Sequence, residues 1–204
     1  MPHFRLRLVE VGLLNQVDAT SECYSLAMPL GLKRYQESKQ THFVTFSCLH
    51  RAPLLTNDAV RETFVRNLEI TRRRYAFRVY AYVVMPGHVH ILVSEPEVST
   101  LARAIQCVKV SVAQSTAKLR DSARLWQPRY YDHNVRDYES FSEKIRYIHR
   151  NPVKRGLCER PQDWKWSSFR HYAYAEIVPV EIESQWTTDL RAGRSVRLLQ
   201  LAGE

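Results

Sequence analysis

Two histidines, His88 and His90, flank a single valine inside the apolar stretch AYVVMPGHVHILVSE. Burying an imidazole without a partner is costly, so two of them in a strand-forming run call for an explanation. On a strand, residues two apart point to the same face. Val89, Ile91 and Val93 then face the core, and the two histidines face a common point on the other side. Imidazoles so placed can chelate a divalent metal ion. The spacing is short and common, and it also fits two histidines on a solvated sheet face.

A second segment, SFSEKIRYIHRNP, carries a different kind of chemistry. Phe141, Ile145 and Ile148 follow one side of a helix. Lys144, Tyr147 and Asn151 follow another at i, i+3 and i+7. A tyrosine hydroxyl can act as a covalent nucleophile, and an asparagine oxygen can ligate a hard cation. The same residues also fit an ordinary amphipathic tyrosine and a C-capping asparagine. Lys154 and Arg155 follow this helix and are candidates for phosphate contact. Arg72, Arg73 and Arg74 end an earlier helix, where the dipole favours cations whether or not DNA is bound. His133, in YYDHNVR, is either a loop residue near the site or a structural histidine. Trp126, Trp164 and Trp166 read as core residues rather than stacking platforms.

The elements that must position these groups follow from periodicity. THFVTFSCL (41–49) is rich in β-branched and aromatic residues and predicts a strand. Val60, Phe64 and Leu68 recur at helical spacing between Asp58 and Tyr75, with Asn57 or Asp58 as cap. Residues 76–85 and 88–94 predict two strands joined by a Pro-Gly turn. Residues 99–120 predict a helix capped by Ser99 or Thr100, with Leu101, Ile105, Val108 and Val112 as its stripe. A short strand is expected near 129–135. A helix is expected over 140–151, opened by a Ser140/Glu143 capping box and stopped by Pro152. The first six elements match the split βαβ order of an α+β, ferredoxin-like fold: an antiparallel sheet with helices on one face. Residues 1–38 show no firm period and form an N-terminal extension. Residues 39–175 form the domain, and 176–204 a C-terminal tail.

The composition narrows the partners. The 204 residues suit one domain with a real core. Thirty Lys and Arg against 21 Asp and Glu give a formal charge of +9. Basic residues interleave with Tyr, His and Trp in RNLEITRRRY and KIRYIHRNPVKRGL, the mix expected where a nucleic-acid backbone is neutralised and bases stack. No apolar run approaches the ~20 residues of a membrane span, and the start shows no secretory signal. Cys23, Cys48, Cys107 and Cys158 form no CxxC pair, which fits reduced thiols in a cytoplasm.

MPGHVHILVSEPE resembles the histidine–hydrophobic–histidine motif of HUH single-strand endonucleases. WQPRYYDHNVRD, KIRYIHRNPVKRGL and WKWSSFRHY, in that order, resemble the REP-associated tyrosine transposases, a single-tyrosine branch of the HUH insertion-sequence transposases. The likeness runs from about Leu32 to Tyr174; the first 31 residues do not align. The resemblance implies that His88 and His90 bind a divalent cation, Mg²⁺ or Mn²⁺, with Asn151 as third ligand. It implies that Tyr147 is the nucleophile, forming a 5′-phosphotyrosine without ATP. It implies a single-stranded DNA hairpin of the repeated extragenic palindrome type as substrate, and a monomer or homodimer as the assembly. The competing readings are a domesticated protein that binds hairpins without cutting them, and a metal hydrolase without covalent catalysis. The second lacks carboxylates near the site.

Overall fold

The structure, a computed structural model, describes residues 40–119 and 124–193. The expected N-terminal extension lies outside the described residues. Strand β1 (Thr41–Ser47) leads through a 3-10 turn at Leu49–Arg51 to helix α1 (Asp58–Tyr75). Strands β2 (Val79–Val84) and β3 (His88–Ser94) form the hairpin around Pro86 and Gly87. Helix α2 (Leu101–Ser115), strand β4 (Tyr131–Val135) and helix α3 (Tyr138–Lys154) follow. Two short helices, α4 (Phe169–Tyr174) and α5 (Gln185–Arg191), end the described chain. The sheet order is β2-β3-β1-β4, antiparallel throughout, as the split βαβ reading predicts.

The alternation along each strand divides the core in two. Val44, Phe46, Val89, Ile91 and Val93 pack with Phe64 and Leu68 of α1 and with Ile105 and Val108 of α2. Full burial of each such side chain contributes about 1.5–3 kcal/mol. Phe43, Ala81, Val83 and Leu92 point the other way and meet Ile148, Phe141 and Ile145 of α3. The helices of the split βαβ core therefore share one face, as expected, while α3 covers the opposite one. Trp126 and Trp166 are buried in the first cluster and Trp164 bridges the two, so all three serve the core. Cys48, Cys107 and Cys158 form no disulfide among the described residues.

Caps and ends refine the sequence reading. Asn57 caps α1 by accepting from the Ala59 amide, and Thr100 caps α2 by accepting from that of Arg103. Ser140 does not open α3. Asp137 does, accepting from the Ser140 amide at 2.8 Å, and its carboxylate suits the positive end of the helix. Pro152 does not stop α3, which runs to Lys154 with the proline inside its last turn. The expected tail from 176 onward is partly core: Val180 and Ile182 are buried, and Ile182 bridges Val79 in parallel. That bridge and the pairing of Ser167 with Val83 cover the outer side of β2.

Candidate active site

β3 places His88 and His90 on the α3 side of the sheet, their rings 4.7 Å apart. The cross-strand partner of His90 is Thr45, whose Oγ1 lies 2.6 Å from the His90 Nδ1. Phe43 stacks on the same imidazole at 5.4 Å. Tyr147 comes down from α3, its ring edge-on to His90 at 5.2 Å and to Phe43 at 5.8 Å. One turn further, the Asn151 amide nitrogen lies 3.4 Å from the His90 Nε2. The Asn151 oxygen is buried and has no hydrogen-bond partner. Lys144 sits 5.2 Å over the Phe43 ring. The helical side Lys144–Tyr147–Asn151 is thus the side that meets the histidines. It is adjacent to the Phe141–Ile145–Ile148 side, and both face β1–β3.

The electrostatics keep both imidazoles neutral. Burial, then the nearby Arg155 and Arg51, push the His88 pKa down to about 4. Burial, then His88 and Arg155, push that of His90 down to about 3. Near pH 7 each ring therefore offers a lone pair. The two contacts of His90 suit one tautomer, with Nδ1–H donating to Thr45 and the Nε2 lone pair facing Asn151. No cluster of three or more His, Cys, Asp or Glu able to hold a metal occurs among the described residues. The candidate donor set is therefore two imidazoles and one amide oxygen. An unsatisfied buried oxygen on the side chain that contacts the His90 Nε2 fits a divalent cation such as Mg²⁺ or Mn²⁺.

The helix that carries Tyr147 is held from behind. His149 is buried, and its Nε2 lies 2.9 Å from the Ser168 hydroxyl. Ser168 in turn accepts from the Tyr82 amide of β2 at 3.0 Å. Phe169 and Tyr172 pack on the His149 ring. The Trp-Ser-Ser segment thus ties the tyrosine helix to the sheet.

Sequence reasoning missed three contributors. Thr45 and His149 sit inside ordinary strand and helix patterns, and nothing local marks them. Arg51 lies in a loop, where His50 and Arg51 both take left-handed backbone conformations, at φ 53° and 57°. That turn packs so closely on the hairpin that a Cβ at Gly87 would stand 2.7 Å from the Arg51 carbonyl oxygen. The glycine therefore permits the approach that puts the Arg51 charge beside His88.

Not every expected contact residue joins the site. Lys154 ends α3 and Arg155 caps it, both exposed, with the Arg155 charge felt at both histidines. His133 lies on β4, on the same face as Phe43 and exposed. Arg72, Arg73 and Arg74 end α1, which packs on the opposite face of the sheet. Arg72 pairs with Glu69 and Glu181, Arg73 with Glu69, and Arg74 lies over Tyr75. The structure does not bring these three to the site.

Residues 35–151 match the family described as "Transposase IS200 like". A protein of Haemophilus influenzae, provisionally named a REP-associated tyrosine transposase, is 30% identical over 68% of this chain and 84% of its own length. A REP-associated tyrosine transposase of Escherichia coli is 26% identical over 80% of this chain and 96% of its own. A solved structure of a REP-associated tyrosine transposase bound to a REP hairpin superposes with a TM-score of 0.61. It is 25% identical and covers 76% of this chain and 92% of that one.

Proposed function

Because the chain belongs to the IS200-like transposase family, alongside the REP-associated tyrosine transposases, we propose that it cuts and rejoins single-stranded hairpin DNA through a 5′-phosphotyrosine at Tyr147. The observation that carries this is the convergence of Tyr147, His88, His90 and Asn151 on one face, drawn from two elements of one chain. The site needs no second copy to assemble these four groups. The hairpin as substrate class is taken from the relative solved with a REP hairpin.

In the proposed step the Tyr147 hydroxyl oxygen bonds to phosphorus and gives its proton to water. The bond from phosphorus to the 3′ oxygen breaks, and that oxygen leaves as a protonated 3′-hydroxyl. The phosphate ester is retained on tyrosine, so a later 3′-hydroxyl can attack it and reseal a strand with no external energy source. A tyrosine with pKa near 10 is a poor nucleophile at neutral pH, and the anionic diester repels it. Arg51 and Arg155 set positive charge beside the histidines and offset that repulsion. His88, His90 and the Asn151 oxygen would hold Mg²⁺ or Mn²⁺, which when bound polarises the scissile phosphate as a Lewis acid. Phe43 and the Ser168–His149 tie fix the height and direction of the Tyr147 ring.

The test is incubation of the purified chain with a pool of single-stranded hairpins and Mn²⁺, followed by denaturing electrophoresis. A denaturation-resistant protein–DNA adduct is expected, and mass spectrometry after nuclease trimming should place the nucleotide on Tyr147. Tight hairpin binding without any adduct would favour a binding protein that has lost the chemistry. No helix among the described residues is long and apolar enough to cross a membrane.

A further inference from the structure

We propose that Tyr131 and His133, on edge strand β4, form a stacking clamp for unpaired DNA bases next to the cut site. The inference rests on the proposed single-strand substrate and adds where its bases lie. The two residues alternate with Asp132 and Asn134, so both occupy the face that carries the active site. Val135, third in the same row, is buried in the cluster under α3 and fixes that orientation. The Tyr131 and His133 rings are parallel within 5° with centroids 6.4 Å apart. Two parallel rings on one exposed face offer flat surfaces on which unpaired bases can stack.

Packing does not explain the pair. Tyr131 is 58% exposed, and His133 is exposed as well. Their position relative to the chemistry is informative. Tyr131 touches Phe43 at 6.5 Å, and Phe43 touches Tyr147 at 5.8 Å. The clamp is therefore one ring away from the nucleophile. A strand whose phosphate reached Tyr147 would carry its neighbouring bases over Phe43 toward β4.

The charge pattern suits a polyanion. Lys144 stands over Phe43, and Arg129 and Arg136 flank β4 as exposed residues. Asp132, the acid within the strand, is turned to the other face and engaged by His42 at 2.8 Å. Stacking on aromatic side chains tolerates any base, so the clamp would grip the flank without choosing its sequence. Recognition of a particular hairpin would then belong to other residues.

The test uses the full chain and two probes: a blunt hairpin, and the same hairpin with a six-nucleotide unpaired flank containing 2-aminopurine. Binding is followed by anisotropy and stacking by quenching of the 2-aminopurine emission. Tyr131→Ala and His133→Ala should each weaken binding of the flanked probe about 5-fold or more, and the double variant should abolish the quenching. Affinity for the blunt hairpin should stay unchanged, and Tyr131→Phe should behave as wild type. A double alanine variant that quenches and binds like wild type would overturn the clamp, as would equal losses on both probes. The covalent adduct is scored in parallel. Flank-specific losses with no adduct in the wild type would keep the clamp and remove the cutting reaction, whereas an adduct with no flank-specific loss would do the reverse.

Discussion

Replacing Thr45 by valine should separate the site's support from its ligands. Valine keeps the shape of threonine and deletes the hydroxyl that lies 2.6 Å from the His90 Nδ1. The contacts of His90 suit the tautomer protonated on Nδ1, with Nε2 toward Asn151 and the Thr45 hydroxyl as the acceptor at Nδ1. His90 is 5% exposed, so water does not readily replace the lost partner. Leaving a buried donor unsatisfied costs about 1–3 kcal/mol. Loss of such an outer hydrogen bond typically lowers metal affinity about 10–100-fold, which is the same range, since each tenfold is about 1.4 kcal/mol. Mn²⁺ binding should be titrated directly by calorimetry at pH 7.5, without DNA. Thr45→Val should shift the dissociation constant by that factor, and Thr45→Ser should restore it. A valine variant that folds normally and binds Mn²⁺ within twofold of wild type would refute the reasoning. A lowered melting temperature with unchanged Mn²⁺ affinity would assign Thr45 a structural role alone.

Tyr147→Phe keeps the ring on Phe43 and His90 and removes the hydroxyl; it should bind hairpin DNA normally and yield no adduct on denaturing gels. Asn151→Ala should raise the half-saturating Mn²⁺ concentration of the nicking reaction while activity recovers at high Mn²⁺; an unchanged half-saturation point with lower thermal stability would make Asn151 a packing residue of α3 only. Gly87→Ala should destabilise the loop at Arg51, because the new methyl meets a backbone carbonyl at 2.7 Å, and a melting curve indistinguishable from wild type would contradict that packing. Metal-free protein should lose stability as the pH falls from about 6.5 toward 3. His149 is held neutral with a pKa near 3 by burial, so over that window the unfolded chain takes up a proton that the folded chain refuses. The slope is about 1.4 kcal/mol per pH unit for one such group. His149→Gln, which can still bond Ser168, should flatten the dependence of melting temperature on pH.

His42 tests the opposite sign and shows what the sequence concealed. It is fully buried between Asp132 and Glu95. Burial alone would lower its pKa, but the hydrogen bonds and charges of the two carboxylates outweigh it, and the net shift is upward. Its contribution to stability is complete below the unfolded value near 6.5 and is lost as the pH rises through the raised folded value. The partners lie 53 and 90 residues away along the chain, so no local pattern could reveal them. The same distance rule separates the legible from the hidden elsewhere. The strands, the first helix and the HVH hairpin were legible because alternation and 3.6-residue periodicity are local, and α1 and β3 fall at the expected residues. The shared side of Lys144, Tyr147 and Asn151 was legible for the same reason. That this side lies next to the Phe141, Ile145 and Ile148 side, with both packed on the sheet, was not, because spacing alone does not say how wide a face the helix buries. The choice is made by where α3 lands on Phe43 and Leu92. The arginines at 72–74 illustrate the same rule: a run of cations looks alike in sequence whether it awaits phosphate or, as Arg72 and Arg73 do, pairs with carboxylates of its own chain, while Arg74 lies over Tyr75. Charge composition points to a polyanionic partner, but only the fold shows which cations lie near the histidines: the charges of Arg51 and Arg155 reach His88, and in the proposed reaction these two would face the scissile phosphate.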